Sequence, residues 1–182
     1  KIIDPSIDIR DVRIPLVLNG VDLVTSAAIS LTQGSLLNAV MATIAVPGFF
    51  APVRIGKYSL VDGGTLNNLP ISQIHQFNPQ VIFAVDVHPD TTKEIPWHFS
   101  EEKPKFPIPV PSFFLDYYRS LLIMMTRINE YNLSQDPPDI LLRPHMPSEI
   151  TLFYGYQRAA QIIASGEKAA QDQLSNIKRA VY

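Results

Sequence analysis

The sequence contains no cysteine, which excludes disulfide staples, thiolate zinc sites and a cysteine nucleophile, and leaves the redox compartment open. No apolar run is long enough to span a bilayer, because charge or proline interrupts every long one. There is no excess of positive charge either. The formal net charge is -2 at pH 7, and the concentrated basic face that a nucleic-acid partner requires is missing. The longest basic cluster, Lys178-Arg179, falls at an expected helix end, where it complements the helix dipole. No internal repeat is visible. Lys1 stands where an initiator methionine would, with no signal-peptide pattern after it, so the natural polypeptide is expected to begin further upstream.

What is present is the composition of an ordinary globular protein, 46% hydrophobic and 18% charged, which excludes a disordered or fibrous chain. A length of 182 residues suffices for one domain with a real core.

Along the chain, residues 13–19 (RIPLVLN) read as a buried strand, with Asn19-Gly20 as the turn after it. A second short apolar segment covers 27–31. Residues 35–44 have helical spacing, with Leu36, Leu37, Val40, Met41 and Ile44 on one face, Ser35 as N-cap and Pro47-Gly48 as the stop. Residues 57–61 (KYSLV) form a short strand that runs straight into Asp62-Gly63-Gly64. Pro70 suits the first turn of a short helix through His75. The near-continuous apolar run at 81–87 (VIFAVDV) predicts a strand covered on both faces. Prolines alternate with apolar residues up to Pro111, predicting an extended, semi-rigid connector or lid over 93–111. A long helix over 112–134, a strand at 139–143 and a single amphipathic helix over 157–181 complete the pattern. Strands alternating with helices argue for an α/β layered sheet.

The most informative stretch is 41–70, MATIAVPGFFAPVRIGKYSLVDGGTLNNLP. A carboxylate at the end of a strand followed by two glycines is placed where α/β sheets put their working groups. The glycines permit tight or positive-φ backbone and the close approach of another loop. Asp62 is thereby a candidate to accept a proton or orient a nucleophile. Asp-Gly is also the commonest hairpin signal, and on the tripeptide alone a plain turn is the stronger reading.

Context reverses that order. A helix, then Ala-Thr-Ile-Ala-Val-Pro-Gly-Phe-Phe-Ala-Pro-Val, a short gap, then Leu-Val-Asp-Gly-Gly and Asn-Asn-Leu-Pro resembles the second conserved block of the patatin-like phospholipases. Residues 13–22 resemble the strand and Asp-containing turn before that block. Residues 81–87 resemble the strand after it, and 138–144 with the closing helix resemble the family's C-terminal end. The resemblance implies a three-layer α/β/α sheet of patatin type, incomplete here, with 1–182 as the C-terminal part of a single domain. It implies a lipolytic acyl hydrolase of the phospholipase or esterase kind, in which Asp62 is the aspartate of a Ser-Asp dyad and Gly63 and Gly64 complete the motif. The family's serine sits in a G-x-S-x-G elbow, and a glycine-rich loop supplies oxyanion donors; neither is found in these 182 residues. The fragment alone is therefore expected to be inactive, and a non-catalytic scaffold or regulatory domain is the alternative reading.

The implied substrate is a lipid or small ester, without cofactor, metal or nucleic acid. The implied setting is cytoplasmic or membrane-peripheral, with a homo-oligomer or the missing N-terminal segment as partner. A Ser-Asp-His triad needs a histidine after Asp62; His88, His98 and His145 all qualify by order, with His88, at a strand end, the best placed. A structural histidine is the stronger reading, and Asp86-x-His88 as a metal pair lacks a third ligand. Pro104 to Pro107 matches a PxxP ligand pattern, but a rigid connector is favoured. With Trp97, Phe99, Phe113 and Phe114 that connector is also a candidate lipid-facing lip beside the acyl site.

Overall fold

The computed structural model describes residues 3–88, 112–145 and 158–182. The chain is mixed α/β and divides into two compact units, the first formed by residues 1–79 with 127–136, the second by 80–126 with 137–182.

The first unit is built on four strands, β1 (Leu18–Asp22), β2 (Ala28–Leu31), β3 (Val53–Ile55) and β4 (Tyr58–Asp62), in the order β2-β1-β4-β3. Every pairing in it is antiparallel. Helix α1 (Leu36–Thr43) packs against this sheet. Ser35 caps it as expected, its Oγ accepting from the Asn38 amide at 3.4 Å. The core joins Ile9, Leu31, Ala39, Ala42 and Leu60, with Leu16, Leu18, Leu36 and Tyr58 packed around them. The inward face of α1 is therefore the one bearing Ala39 and Ala42. Met41 and Ile44, read as core, are about half exposed, at 46% and 48%. Small residues let the helix lie close on the sheet, Leu36 packs beside them, and Met41 and Ile44 are turned outward.

The β1 reading needs correction. Residues 13–17 are not strand: Pro15 has no amide to give a ladder, and Ile14 is exposed. Asn19 and Gly20 lie inside β1, opposite Ser30 and Ile29 of β2. The turn comes later, with Ser26 at φ 58. Asp22 makes it, its Oδ2 accepting from the Thr25 amide and hydroxyl at 3.1 and 2.7 Å.

After β4 come a 3-10 turn at Gly63–Thr65, helix α2 (Ile71–Ile74) with Pro70 at its N-cap, and a further 3-10 turn at His75–Phe77. The end of the long helix α3 (Ser112–Gln135) closes the unit, Asn132 Nδ2 donating to the Leu66 carbonyl at 3.0 Å.

In the second unit β5 (Phe83–Val85) pairs in parallel with β6 (Ile140–Leu142). The run 81–87 is not buried on both sides: Ala84 and Asp86 are buried, whereas Phe83, Val85 and Val87 are 45%, 51% and 54% exposed. The C-terminal segment is two helices, α4 (Ala159–Asp172) and α5 (Leu174–Val181), separated at Gln173, rather than one. The proposed connector 93–111, with His98, Trp97 and Phe99, lies outside the described residues.

Candidate active site

Asp62 is the last residue of β4, an interior strand of the first unit's sheet. Its neighbour on one side is the middle of β1, where Gly20 faces Asp62 across an antiparallel pairing. Four hydrogen bonds define the turn that follows. The Asp62 amide donates to the Ala45 carbonyl just beyond α1, at 3.0 Å. Its carboxylate Oδ1 accepts from the Gly64 amide at 2.7 Å. The Gly63 carbonyl accepts from the amides of Leu66 and Asn67 at 3.2 and 2.9 Å. The carboxylate is thus oriented by backbone on its own turn, and that turn is tied to the end of α1.

Gly63 and Gly64 are both buried, but neither belongs to the positive-φ glycines, which are Gly34, Gly48 and Gly56. Gly63 is needed for space. A Cβ on it would overlap the Asn19 side-chain amide, coming to 2.5 Å from both its nitrogen and its oxygen. Asn19 Nδ2 donates to the Asn67 carbonyl at 2.7 Å, so β1 reaches over the turn and holds its far side. Asn19 was not legible as a site residue, since Asn-Gly reads locally as a turn and nothing nearby signals its partner 48 positions away.

Asp22 is buried, at 1% exposure, and takes a structural role. Its Oδ1 accepts from the Ser59 amide at 2.8 Å. That bond, with those from Thr25, holds its carboxyl below the usual carboxylate range.

His88 belongs to the second unit. Its amide donates to Asp86 Oδ1 at 3.0 Å, and its Nδ1 lies 3.5 Å from the same oxygen. Arg143 Nε donates to Asp86 Oδ2 at 3.2 Å. Burial pushes the Asp86 carboxyl up, but the contacts from His88 and Arg143 outweigh it and leave it lowered. Among the described residues no group of three or more His, Asp or Glu is placed to hold a metal. His145 is joined to α4 through its carbonyl, which accepts from Ser165 Oγ.

A cleft of about 200 Å³ opens beyond the turn, with Asn67, Leu69, Ile71 and Ser72 on one side and Asn132, Gln135 and Asp136 on the other. Asp62 does not line it, and its volume is below the range of sites that enclose a drug-sized ligand, roughly 300–1,000 Å³.

Comparison with known proteins centres on the same stretch. Residues 6–75 match the family model described as patatin-like phospholipase. An uncharacterized NTE family protein of Mycobacterium tuberculosis is 39% identical over 66 residues, 36% of this chain and 11% of that protein. A second from the same organism is 32% identical over 80 residues, 44% of this chain and 22% of that protein. Patatin-like phospholipase domain-containing protein 7 of Mus musculus is 33% identical over 81 residues, 43% of this chain and 6% of that protein. Over this stretch the chain is similar to the patatin-like phospholipase family. The alignments span between 6% and 22% of these relatives' own lengths. The family match takes in Asp22, Asp62, Gly63 and Gly64 and stops before β5, so residues 81–87 and 138–144 lie outside it.

Proposed function

We propose that Asp62 is the proton acceptor of a Ser-Asp acyl hydrolase site acting on carboxylic esters, lipids or smaller esters, with the nucleophilic serine and the oxyanion donors supplied from outside this sequence. The observation that carries the reading is the placement of Asp62. It ends an interior strand, its carboxylate is fixed by the Gly64 amide, and it lies within the family-matched stretch.

The chemistry follows from that geometry. A serine hydroxyl is a weak nucleophile until a base lies within hydrogen-bond reach. Asp62 takes the Oγ proton as Oγ attacks the ester carbonyl, giving a tetrahedral oxyanion that backbone donors must stabilise. Collapse expels the alcohol, which leaves with the proton from Asp62. Water, deprotonated by the same carboxylate, then attacks the acyl-serine; the C–Oγ bond breaks, Oγ takes back the proton from Asp62 and the acid is released. A lipid substrate requires contact with an aggregate or membrane surface; no helix among the described residues is long and apolar enough to cross one.

The test is Asp62→Asn in the full-length protein, read as hydrolysis of a short-chain nitrophenyl ester alongside thermal unfolding. Asn keeps the size and the bond to Gly64 but accepts no proton, so the rate falls by roughly a hundredfold to ten-thousandfold with the unfolding midpoint nearly unchanged. An active Asp62→Asn protein refutes the assignment. The 182-residue chain alone is inactive on this reading. A substituted serine at the elbow of the full-length protein would favour the non-catalytic scaffold instead.

A further inference from the structure

The turn after Asp62 is held both by bonds within itself and by bonds from neighbouring elements. Gly63 and Gly64 carry no side chain; the Gly64 amide donates to Asp62 Oδ1, and the Leu66 and Asn67 amides donate to the Gly63 carbonyl. Further restraint comes from outside the turn, from Asn132 on the Leu66 carbonyl and from β1. Gly20 pairs with Asp62, so Asn19 stands one step further along, where the ladder would continue to Gly63. Its side chain fills that step. The amide group lies flat against the Gly63 Cα, leaving no room for a methyl group, and its Nδ2 donates to the Asn67 carbonyl at 2.7 Å. Asn67 in turn donates its own amide to the Gly63 carbonyl at 2.9 Å. One side chain therefore braces both ends of the loop that begins at Asp62.

We infer that Asn19 is a positioning residue that sets the placement of the Asp62 carboxylate by clamping the Gly63–Asn67 loop from the neighbouring strand. This rests on the reading of Asp62 as the proton acceptor. A general base must sit within about 2.6–3.2 Å of the proton that it takes. Displacements of about 1 Å in a reacting pair cost on the order of a hundredfold in rate. Loss of the clamp therefore acts on turnover, not on substrate capture.

The experiment uses the full-length protein, with kcat and KM for a short-chain nitrophenyl ester and thermal unfolding measured on Asn19→Asp, Asn19→Ala and Asp62→Asn. Asn19→Asp keeps the volume but sets a carboxylate against the Asn67 carbonyl. Asn19→Ala removes the contact altogether. Both are expected to lower kcat by about 10- to 100-fold with KM within about threefold. A further pair separates positioning from packing. Gly63→Ala drives a methyl group into Asn19; adding Asn19→Gly makes room for it. The double variant is expected to recover the unfolding midpoint that Gly63→Ala loses, yet to stay as low in kcat as Asn19→Ala. Recovery of kcat together with the midpoint would show that Asn19 only fills space. If Asn19→Asp and Asn19→Ala keep kcat within threefold of the parent while Asp62→Asn is inactive, the clamp is refuted and the dyad stands. Activity in Asp62→Asn refutes the dyad and the clamp with it.

Discussion

Gly20 lies directly opposite Asp62 across the β1–β4 ladder, and a Cβ on Gly20 would come to 3.3 Å from the Val61 carbonyl oxygen. The two strands close on one another at the point where the aspartate leaves the sheet. A side chain at Gly20 would be tight but not excluded, a milder demand than the outright overlap at Gly63.

That overlap makes Gly63 a sensitive position. Gly63→Ala forces the Asn19 amide to move, because the new methyl group would lie 2.5 Å from its nitrogen and oxygen. A destabilisation of about 1–3 kcal/mol is expected, the usual cost of overpacking a filled site. Denaturant unfolding of the variant against the parent measures it.

His88 contacts Asp86, its amide donating to Asp86 Oδ1 at 3.0 Å. His88→Ala is accordingly expected to leave ester hydrolysis by the full-length protein within a fewfold of the parent. A loss comparable to that of Asp62→Asn would mean that a histidine takes part in the site after all. Steady-state rates of the two variants, measured side by side, decide between a dyad and a triad.

Asp86 gives a pH-dependent stability. Its carboxyl is lowered in the folded state, burial being outweighed by His88 and Arg143. The stabilisation is therefore present above the ordinary carboxylate value of about 4 and is lost as pH falls through the lowered native value. Asp86→Asn is expected to cost roughly 1.5–3 kcal/mol at pH 7. The gap between variant and parent should shrink steadily below about pH 4. Urea unfolding at pH 7 and pH 3 tests this; a gap that widens on acidification contradicts the sign.

Leu60 is fully buried, at 0% exposure, between α1 and the sheet. Leu60→Ala is expected to cost about 2–5 kcal/mol through lost transfer energy and the cavity left behind. Chemical denaturation provides the value, and a cost below 1 kcal/mol would place the core of this unit elsewhere.

Much of this arrangement was legible locally. The Ser35 cap, the helix after it and the strand running into Asp62-Gly63-Gly64 all appear where short-range signals put them. Those signals act over a few residues, so the sequence carries them openly. The misreadings share the opposite cause. Asn19-Gly20 has the chemistry of a turn, but its conformation is decided by pairing with a strand some 40 residues later. Likewise, the apolar look of 81–87 does not reveal which side chains are covered, since alternation leaves Phe83, Val85 and Val87 together on the exposed face. The amphipathic pattern of the C-terminal segment persists across Gln173, which is why two helices read as one.

The hydrogen bond from Ser59 to Asp22 has a consequence for how reliably the site is assembled. It fastens one end of the β1–β4 ladder, while Asn19 fastens the other end through Asn67. Sliding one strand by a single residue would turn every side chain to the opposite face and would break both fastenings at once. The ladder therefore has one alignment that satisfies both ends, and that alignment fixes where Asp62 stands.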